Sequence, residues 1–304
     1  MKIWAHRYTL KPRWQDRPER QGALLRVQWA PHQFGYSDLH PWTEYGEKPL
    51  DAHLEGVSTL DLSALAEISL EFSYVDAEYR RLNRNAFLGM VLPRSHALVQ
   101  DVRLLTKAFI DECKAAGHTH IKMKMGDDLP AETKVLQQFA SAGDFLWRLD
   151  FNGKLNVAQF TDWWESLDTA LKARVDFVED PVREGRLETR GPWANDWFLQ
   201  EGASIRVVKP AREETEDLSS YRRVVFTHSL DHPIGQAAAA WSAAKHYTHH
   251  PKVMEVCGLT APLMYEPNAF SQAWSCAGPR LKPTPGTGFG FNELLESIKW
   301  ERLY

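Results

Sequence analysis

The chain has 304 residues, of which 43% are hydrophobic and 12 are tryptophans. This length exceeds a typical single domain and suits one large barrel with additions, or two domains. The formal net charge of −4 gives no reason to expect a nucleic acid or an acidic membrane as a partner.

The sequence shows no sign of export or membrane insertion. Its three cysteines, Cys113, Cys257 and Cys276, are an odd number without the CxxC spacing of metal sites. No run approaches the roughly 18 apolar residues of a membrane span, and the opening MKIWAHRYTL lacks a signal peptide's apolar core. We therefore expect a cytoplasmic protein whose cysteines stay reduced.

The first ninety residues predict a small α+β domain. Apolar and polar residues alternate over residues 4–10 and 25–29, which indicates two strands. The polar segment 11–22 between them is predicted to be a loop. Residues 34–54 carry glycine, proline and aromatic residues without periodicity, and residues 62–84 have a helical pattern.

From residue 87 onward, strand patterns alternate with helix patterns. Parallel sheets are built from such repeats, so eight candidate strands predict a (β/α)₈-type TIM barrel, irregular where helices are short or missing after Asp196. Ser95 is predicted to cap the first barrel helix and Asn156 a later one. An open doubly wound sheet is the alternative. The candidate strands cover residues 87–92, 121–126, 145–150, 175–179, 193–196, 205–209, 224–227 and 253–257.

Two lysines one residue apart mark the second of these strands. Because side chains repeat their direction every two residues along a strand, Lys122 and Lys124 face the same way. Two ammonium groups on one buried face repel each other and are costly to desolvate, so an anion is expected beside them. An exposed edge strand with solubilising lysines is the simpler alternative.

Acidic residues end the following strands. Asp150, Glu179 and Asp196, or Asn195 in place of the last, fall at the carboxyl ends of successive strands, where barrel enzymes gather their chemistry. Three carboxylates converging on one point suit a hard divalent cation such as Mg²⁺. Lys209 and Ser229 end two later strands. A single acid at a strand end is more often a helix cap than a metal ligand. The joint order of the three acids and the lysines along the chain is stronger evidence for a metal site.

These motifs resemble the enolase superfamily in its muconate-lactonizing subgroup. The resemblance is carried by Lys-Met-Lys124, Arg148-Leu-Asp150-Phe-Asn152, Val-Glu179-Asp-Pro181, Ala-Asn-Asp196 and Val-Val-Lys209-Pro210. Within the subgroup, Arg148 and the segment from Ser229 to Gly235 are most similar to the o-succinylbenzoate synthase family, as a divergent member. The resemblance implies a capping domain over residues 1–90, completed by residues 270–304, and a barrel over residues 91–269.

The resemblance also implies roles. Lys124 would be the base, Lys122 a cation near the substrate carboxylate, and Lys209 a cation on the opposite face that stabilises an enediolate. Asp150, Glu179 and Asp196 would bind Mg²⁺, or Mn²⁺ in its place. Residues implied to contact the substrate are Arg148, Asn152, Ser229 and Gly235.

The implied reaction is loss of water from 2-succinyl-6-hydroxy-2,4-cyclohexadiene-1-carboxylate to give 2-succinylbenzoate, a step of menaquinone biosynthesis. A racemase of N-acylated amino acids, or a dipeptide epimerase, is the first alternative, because Lys124 and Lys209 could act on two faces. Glu255 offers only one acid where dipeptide epimerases carry an Asp-x-Asp feature. A barrel that only binds is the second alternative.

The expected partner is a small carboxylate, without nucleic acid or membrane, and a monomer and a homo-oligomer both stay open. Residues 11–22 and 34–48 are expected to form loops that cover the barrel opening and exclude water. Among the histidines, His232 is the one expected near the site.

Overall fold

The computed structural model describes residues 1–13, 18–213, 215, 218–250, 252–254, 256–260 and 264–304. The chain opens with three antiparallel strands: β1 (Lys2–Leu10), β2 (Arg20–Ala30) and β3 (Gln33–Leu39). The two strands predicted from alternation are confirmed. The prediction of loops over residues 11–22 and 34–48 is wrong at Arg20 to Gly22 and over residues 34–39, which pair in the sheet. Residues 14–17 of the first loop lie outside the described residues.

Two helices cover one face of this sheet: α1 (Leu50–Thr59) and α2 (Ala64–Arg81). The Ser63 side chain accepts a hydrogen bond from Ala66 N and so caps α2. Alternate residues of β1 and β2, such as Ile3 and Val27, are fully buried beneath the helices. Burial of such side chains stabilises the fold by about 1.5–3 kcal/mol each.

A parallel sheet follows and closes into a barrel, as predicted. Seven strands pair in the order β11-β10-β9-β8-β7-β6-β5. The two edges are joined through β12, which pairs in parallel with β4 and reaches β11 through the bridges Val224↔Val253 and Thr227↔Gly258. The strands are β4 (Arg94–Ser95), β5 (Ala97–Val99), β6 (His120–Lys124), β7 (Leu146–Asp150), β8 (Val175–Glu179), β9 (Trp193–Asn195), β10 (Ile205–Val208), β11 (Arg223–Phe226) and β12 (Val256–Cys257).

The first barrel strand differs from the prediction. Residues 87–92 form a turn in which Leu88 and Val91 are 66% and 62% exposed, because Asn85 Oδ1 binds the Phe87 amide and Met90 N bonds back to Phe87 O. Ser95 is not a helix cap but lies in β4, where its hydroxyl accepts hydrogen bonds from Leu259 N and Thr260 N. The helix after it is capped by Thr106.

The connecting helices have polar caps at their starts, including the predicted cap Asn156, which forms a capping box with Gln159. Residues 180–192 and 196–204 contain no helix, which agrees with the irregularity predicted after Asp196. No helix within the described parts of the chain is long and apolar enough to cross a membrane. The helices are α3 (Lys107–Ala115), α4 (Leu129–Phe139), α5 (Val157–Ser166), α6 (Thr169–Lys172) and α7 (Pro233–His249).

The C-terminal segment returns to the N-terminal sheet. It contains α8 (Ala269–Ala273), β13 (Ser275–Ala277), β14 (Arg280–Lys282), α9 (Asn292–Ser297) and β15 (Glu301–Arg302). Strand β15 pairs with β1. Gly288, at φ +58°, lies against α2, where a Cβ would approach Asp76 Oδ1 to 2.1 Å, so only glycine fits.

Candidate active site

One cavity lies at the carboxyl ends of the barrel strands and collects most of the predicted residues. Side chains alternate in direction along each strand, so the last inward-facing residues of neighbouring strands meet there. Residues predicted from the sequence that line it are Lys122, Lys124, Asp150, Asn152, Asp196, Lys209 and Ser229.

Lys122 and Lys124 contact the carboxylates that the sequence predicted beside them. Lys122 Nζ lies 2.6 Å from Glu179 Oε1 and 2.9 Å from Asp150 Oδ2. Lys124 Nζ donates to Asp150 Oδ2 at 2.9 Å and to Asn152 Oδ1 at 2.7 Å. These lysines therefore lie on a buried inner face, and the alternative of an exposed edge strand is wrong.

Lys209 and Asp196 form an ion pair across the cavity from these lysines. Strands β7, β8 and β9 lie between β6 and β10 on one side of the closed barrel, and β11, β12, β4 and β5 lie between them on the other, so Lys124 and Lys209 project from opposite walls. Asn195 points elsewhere, because its amide group binds Gln200 N and Gln200 O. Asp196, rather than Asn195, is the residue that faces the cavity.

Asp180 fixes the loop that carries Asp196. Its buried carboxylate accepts hydrogen bonds from the backbone amides of Asp196, Trp197 and Phe198, at 2.9, 2.8 and 3.3 Å. Asp180 has a φ of +44°, a left-handed conformation that non-glycine residues seldom adopt. This strain is held by the structure around it, which is common beside functional sites.

The carboxylates do not share one electrostatic environment. Burial raises the pKa of Asp150, but the adjacent Lys122 and Lys124 outweigh it and bring the pKa below its ordinary value. For Glu179, burial and the Asp150 charge raise the pKa to about 8, against the lowering by Lys122. Burial opposes protonation of Lys122, yet Asp150 and Glu179 together raise its pKa. The site thus holds closely spaced carboxylates, and the Lys122 ammonium group contacts two of them, Asp150 and Glu179.

The donor chemistry of this cluster fits a divalent cation. Asp150 and Glu179 are neighbours in register on β7 and β8, and Asp196 follows β9. Oxygen ligands from buried carboxylates are those that Mg²⁺ prefers. As placed, no group of three or more His, Cys, Asp or Glu side chains in the described residues could hold a metal ion, because the lysine ammonium groups contact the carboxylates. The ligand roles stay a prediction.

Arg148 does not line the cavity, so its predicted contact with the substrate is corrected. The side chain is fully buried, and Nε donates to Asp176 Oδ2 at 2.9 Å. Nη2 donates to Val256 O at 2.9 Å, and Nη1 lies 3.0 Å from His96 Nδ1. Five donors on a planar group suit such a hub between strands. Arg148 thus fastens β7 to β8 and β12 below the cavity.

Of the remaining residues predicted to contact the substrate, two line the cavity and one does not. Asn152 and Ser229 line the cavity, and Ser229 Oγ is buried without a hydrogen-bond partner among the described residues. Gly235 lies in the first turn of α7, where a Cβ would meet Asp231 Oδ2 and Asp38 Oδ2 at 2.7 Å, and it does not line the cavity. His232 packs on Tyr8 and Phe270 away from the cavity, and His228 lines it instead.

Aromatic residues of the N-terminal region cover part of the cavity. Trp42 and Tyr45 line it, and Trp42 Nε1 donates to Ser229 O at 3.0 Å. Burial, followed by the charges of Asp150 and Asp196, raises the pKa of Tyr45 to about 12. Arg212 pairs with Glu47 and donates to His40 O at 2.7 Å, which ties this cover to the loop after β10.

Sequence reasoning missed several residues that line the cavity. Trp42, Tyr45, Trp197, Arg212 and His96 come from segments without strand or motif patterns. For His96 a signal existed, since it alternates with Leu98 and Gln100. The wrong placement of the first barrel strand concealed it.

Comparisons with known proteins agree with this arrangement. Residues 3–79 match the family model for the O-succinylbenzoate synthase N-terminal domain. The o-succinylbenzoate synthase of Bdellovibrio bacteriovorus is 26% identical over 329 aligned positions, which cover 100% of this chain and 99% of that protein.

Solved structures show the same fold. A mandelate racemase/muconate lactonizing protein from Herpetosiphon aurantiacus superposes with a TM-score of 0.77 at 16% identity, covering 95% of this chain and 96% of that one. A dipeptide epimerase from Cytophaga hutchinsonii, complexed with Mg and the dipeptide D-Ala-L-Val, gives 0.75 at 16% identity, covering 100% and 99%. The chain therefore has the barrel fold of the enolase superfamily. Its resemblance to o-succinylbenzoate synthases within that superfamily is confirmed.

Proposed function

We propose that this protein is an o-succinylbenzoate synthase, a carbon–oxygen lyase that dehydrates 2-succinyl-6-hydroxy-2,4-cyclohexadiene-1-carboxylate to 2-succinylbenzoate in menaquinone biosynthesis. The observation that carries the proposal is one cavity in which Lys124 and Lys209 project from opposite walls above three buried carboxylates. The full-length likeness to a synthase supports the choice of substrate.

Lys124 is proposed as the base that removes the proton alpha to the ring carboxylate. Asn152 holds its ammonium group from one side and Asp150 from the other, so the amine has a fixed position at the cavity wall. Proton abstraction by a positioned side chain typically contributes about 10²–10⁴-fold in rate. A lysine must release its own proton before it can take another, and bound cations nearby favour that release.

Lys122 and Lys209 are proposed to stabilise negative charge. Lys122 lies one layer below Lys124 on the same strand, where it can meet the substrate carboxylate. Lys209 faces the opposite side of a bound ring, where the enolate develops. Cations fixed where charge appears act strongly in a cavity shielded from water.

Asp150, Glu179 and Asp196 are proposed to hold Mg²⁺, or Mn²⁺ in its place. When bound, the ion would offset the charge of the substrate carboxylate and of the three acids. Loss of the 6-hydroxyl group as water then gives the aromatic ring. Trp42 and Tyr45 cover the reacting groups and limit access of bulk water.

A racemase of N-acylated amino acids or an epimerase of dipeptides is the second candidate. The same opposed lysines favour it, since two-sided proton transfer needs a base on each face. Dipeptide epimerases are also among the proteins with this fold. Glu255, the single acid where the sequence of a dipeptide epimerase would have two, lies outside the described residues.

One assay separates the candidates. The purified chain is incubated with the cyclohexadiene carboxylate, and 2-succinylbenzoate formation is followed in the ultraviolet with Mg²⁺ and after removal of metal by a chelator. We expect product only with the divalent ion. Faster racemisation of an N-succinyl amino acid than dehydration would replace the synthase by the racemase. Absence of both activities would leave a barrel that only binds. A cytoplasmic location stays a prediction, and the oligomeric state stays open.

A further inference from the structure

His96 lies on the floor of the cavity, one layer below Lys122. Side chains alternate along a strand, so His96, Leu98 and Gln100 all face inward, and all three line the cavity. Leu98 pairs in register with Lys122, which places His96 one step deeper. The residue is 5% exposed, so its ring is in contact with the protein on most sides.

Arg148 fixes which nitrogen of the His96 ring carries the proton. The Arg148 Nη1 atom lies 3.0 Å from His96 Nδ1. A guanidinium group can only donate hydrogen bonds, so Nδ1 has to be the acceptor and the proton of the neutral ring is on Nε2. Burial, followed by the charges of Arg148 and Lys122, also holds the pKa of His96 well below its ordinary value. The ring is therefore neutral, with its N–H at Nε2.

The His96 ring and the Thr227 side chain both lie against Gly258. A Cβ on Gly258 would lie 2.8 Å from His96 Cε1, 3.0 Å from His96 Nε2 and 2.7 Å from Thr227 Cγ2. The missing side chain lets both groups reach the cavity floor. Thr227 Oγ1 is buried, and the described residues provide no hydrogen-bond partner for it.

His228, the other histidine in the cavity wall, lacks this freedom. Its Nδ1 accepts a hydrogen bond from Leu230 N at 2.9 Å, and the Thr260 backbone binds the ring as well. The described residues give His96, by contrast, a ring hydrogen bond at Nδ1 only. A buried hydroxyl without a partner, such as that of Thr227, is costly unless a ligand binds it, and the His96 N–H is a second donor lining the same cavity.

We propose that His96 and Thr227 form an uncharged hydrogen-bonding subsite for the ketone oxygen of the substrate's succinyl arm, with Arg148 as the residue that positions His96. The assignment rests on the proposed function. Lys122, Lys124, Lys209 and Arg212 line the same cavity, so the two substrate carboxylates have cationic partners. A neutral imidazole and a hydroxyl are the donors that match a neutral carbonyl oxygen.

The test compares two ligands that differ only in this oxygen: 2-succinylbenzoate and 2-(3-carboxypropyl)benzoate, in which a methylene replaces the ketone. Calorimetric titration with Mg²⁺ present measures the affinity ratio for wild type, His96→Asn, Thr227→Val and the control His118→Asn, whose ring lies outside this cavity. Asparagine keeps an acceptor near Nδ1 for Arg148 but has no donor at the Nε2 position.

We expect the wild type and the control to bind the ketone about 10-fold more tightly than its methylene analogue, because the analogue leaves buried donors unpaired. In His96→Asn and in Thr227→Val the ratio should fall to about 3-fold or less. An unchanged ratio in both variants overturns the subsite.

A second measurement concerns the ring itself and needs no substrate. Long-range ¹H–¹⁵N spectra of the ligand-free protein report the tautomer, with His96 assigned by the signals missing in His96→Asn. We expect a protonated Nε2 and an acceptor Nδ1, and a mixed tautomer in Arg148→Lys, whose single ammonium group cannot reproduce the guanidinium geometry. A wild-type ring protonated at Nδ1 contradicts the role of Arg148.

The results separate the two proposals. If the wild type neither forms nor binds 2-succinylbenzoate, the proposed function fails and the ketone subsite fails with it. If the wild type is active and the variants keep its ligand preference, the subsite alone fails.

Discussion

The barrel interior holds two charged clusters one layer apart, and they differ in how their charges are satisfied. The upper cluster comprises the cavity residues Lys122, Lys124, Asp150, Asp196 and Lys209, together with Glu179, which contacts Lys122. The lower cluster is centred on Asp176, which contacts Arg148, Arg223 and His120. In the upper cluster Lys122 contacts two carboxylates, Asp150 and Glu179, and Asp150 is also bound by Lys124. In the lower cluster one carboxylate is bound by two guanidinium groups.

This difference indicates that the upper cluster contributes to reactivity and the lower cluster to the stability of the fold. In the lower cluster, burial would raise the pKa of Asp176, but Arg148 and Arg223 keep it below its ordinary value, so the carboxylate stays ionised. In the upper cluster, burial and a neighbouring carboxylate raise the pKa of Glu179. Unequal environments among close titratable groups are typical of sites that move protons. We therefore expect changes in the upper cluster to affect turnover and changes in the lower cluster to affect folding.

The largest expected effect on turnover is that of Lys124→Ala. Removal of the proposed base should lower the dehydration rate by about 10²–10⁴-fold while the thermal midpoint stays near that of the wild type. Steady-state kinetics and calorimetric melting measure both. In deuterated buffer, with an analogue that cannot lose water, the variant should also lose alpha-proton exchange from one face.

Lys209→Arg is the matched control for that change. Arginine keeps the positive charge but cannot act as a neutral base at ordinary pH. A synthase should retain measurable dehydration in this variant. Activity as low as in Lys124→Ala would favour a second base, and with it the racemase.

Arg148→Met should have the largest effect on stability. It leaves the Asp176 carboxylate buried with one guanidinium partner fewer, and breaking a buried ion pair typically costs about 3–5 kcal/mol. Urea unfolding measures the free energy of unfolding. The double variant Arg148→Met/Asp176→Leu removes the stranded charge as well and should recover part of the loss. A single variant as stable as the wild type would contradict a structural role for the lower cluster.

The lower cluster should also show in the pH dependence of stability. Burial and the nearby Arg148 hold the pKa of His120 at about 4 in the folded chain, against 6.5 for an ordinary histidine. Between these values the unfolded chain binds the proton and the folded one does not, so stability falls as pH drops from 6.5 to 4. At about 1.4 kcal/mol per pKa unit the loss is at most about 3.5 kcal/mol, and solvent screening of the partly exposed ring reduces it.

His120→Gln tests this assignment, because glutamine has no ionisable group. The free energy of unfolding is measured from pH 7 to pH 4 in both proteins. The variant should lose a smaller part of its stability over this range. Parallel curves would assign the pH dependence to other buried histidines.

The smallest expected effect belongs to the cover of the upper cluster. Trp42→Phe removes the N–H that binds Ser229 O but keeps an aromatic ring between Arg20 and Arg212. One hydrogen bond contributes about 0.5–1.5 kcal/mol, so KM should rise roughly 3- to 10-fold with little change in kcat. An unchanged KM would count against a cover that binds substrate.

The sequence by itself determined the barrel, the two lysines of β6 and the order of the acids. The alternation of side chains and the position of a residue at a strand end are local properties of the sequence. In a parallel barrel, strands that follow each other in the chain lie side by side, so residues at their ends become neighbours. Asn156 was recognisable as a cap for the same reason, since a cap acts within four residues.

Only the tertiary structure decided the first barrel strand and the positions of Arg148 and His96. Residues 87–92 are as apolar as a strand, but backbone pairing with β12 fixes β4 at Arg94–Ser95, and pairing with β6 fixes β5 at Ala97–Val99. Arg148 and Asp150 share one face of β7 but lie at different depths in the barrel. Arg148 is therefore fully buried among other strands, whereas Asp150 lines the cavity. That depth depends on Asp176, His96 and Val256, which come from other strands. Contacts between residues distant in sequence leave no periodic signal, so they become visible only when the barrel closes.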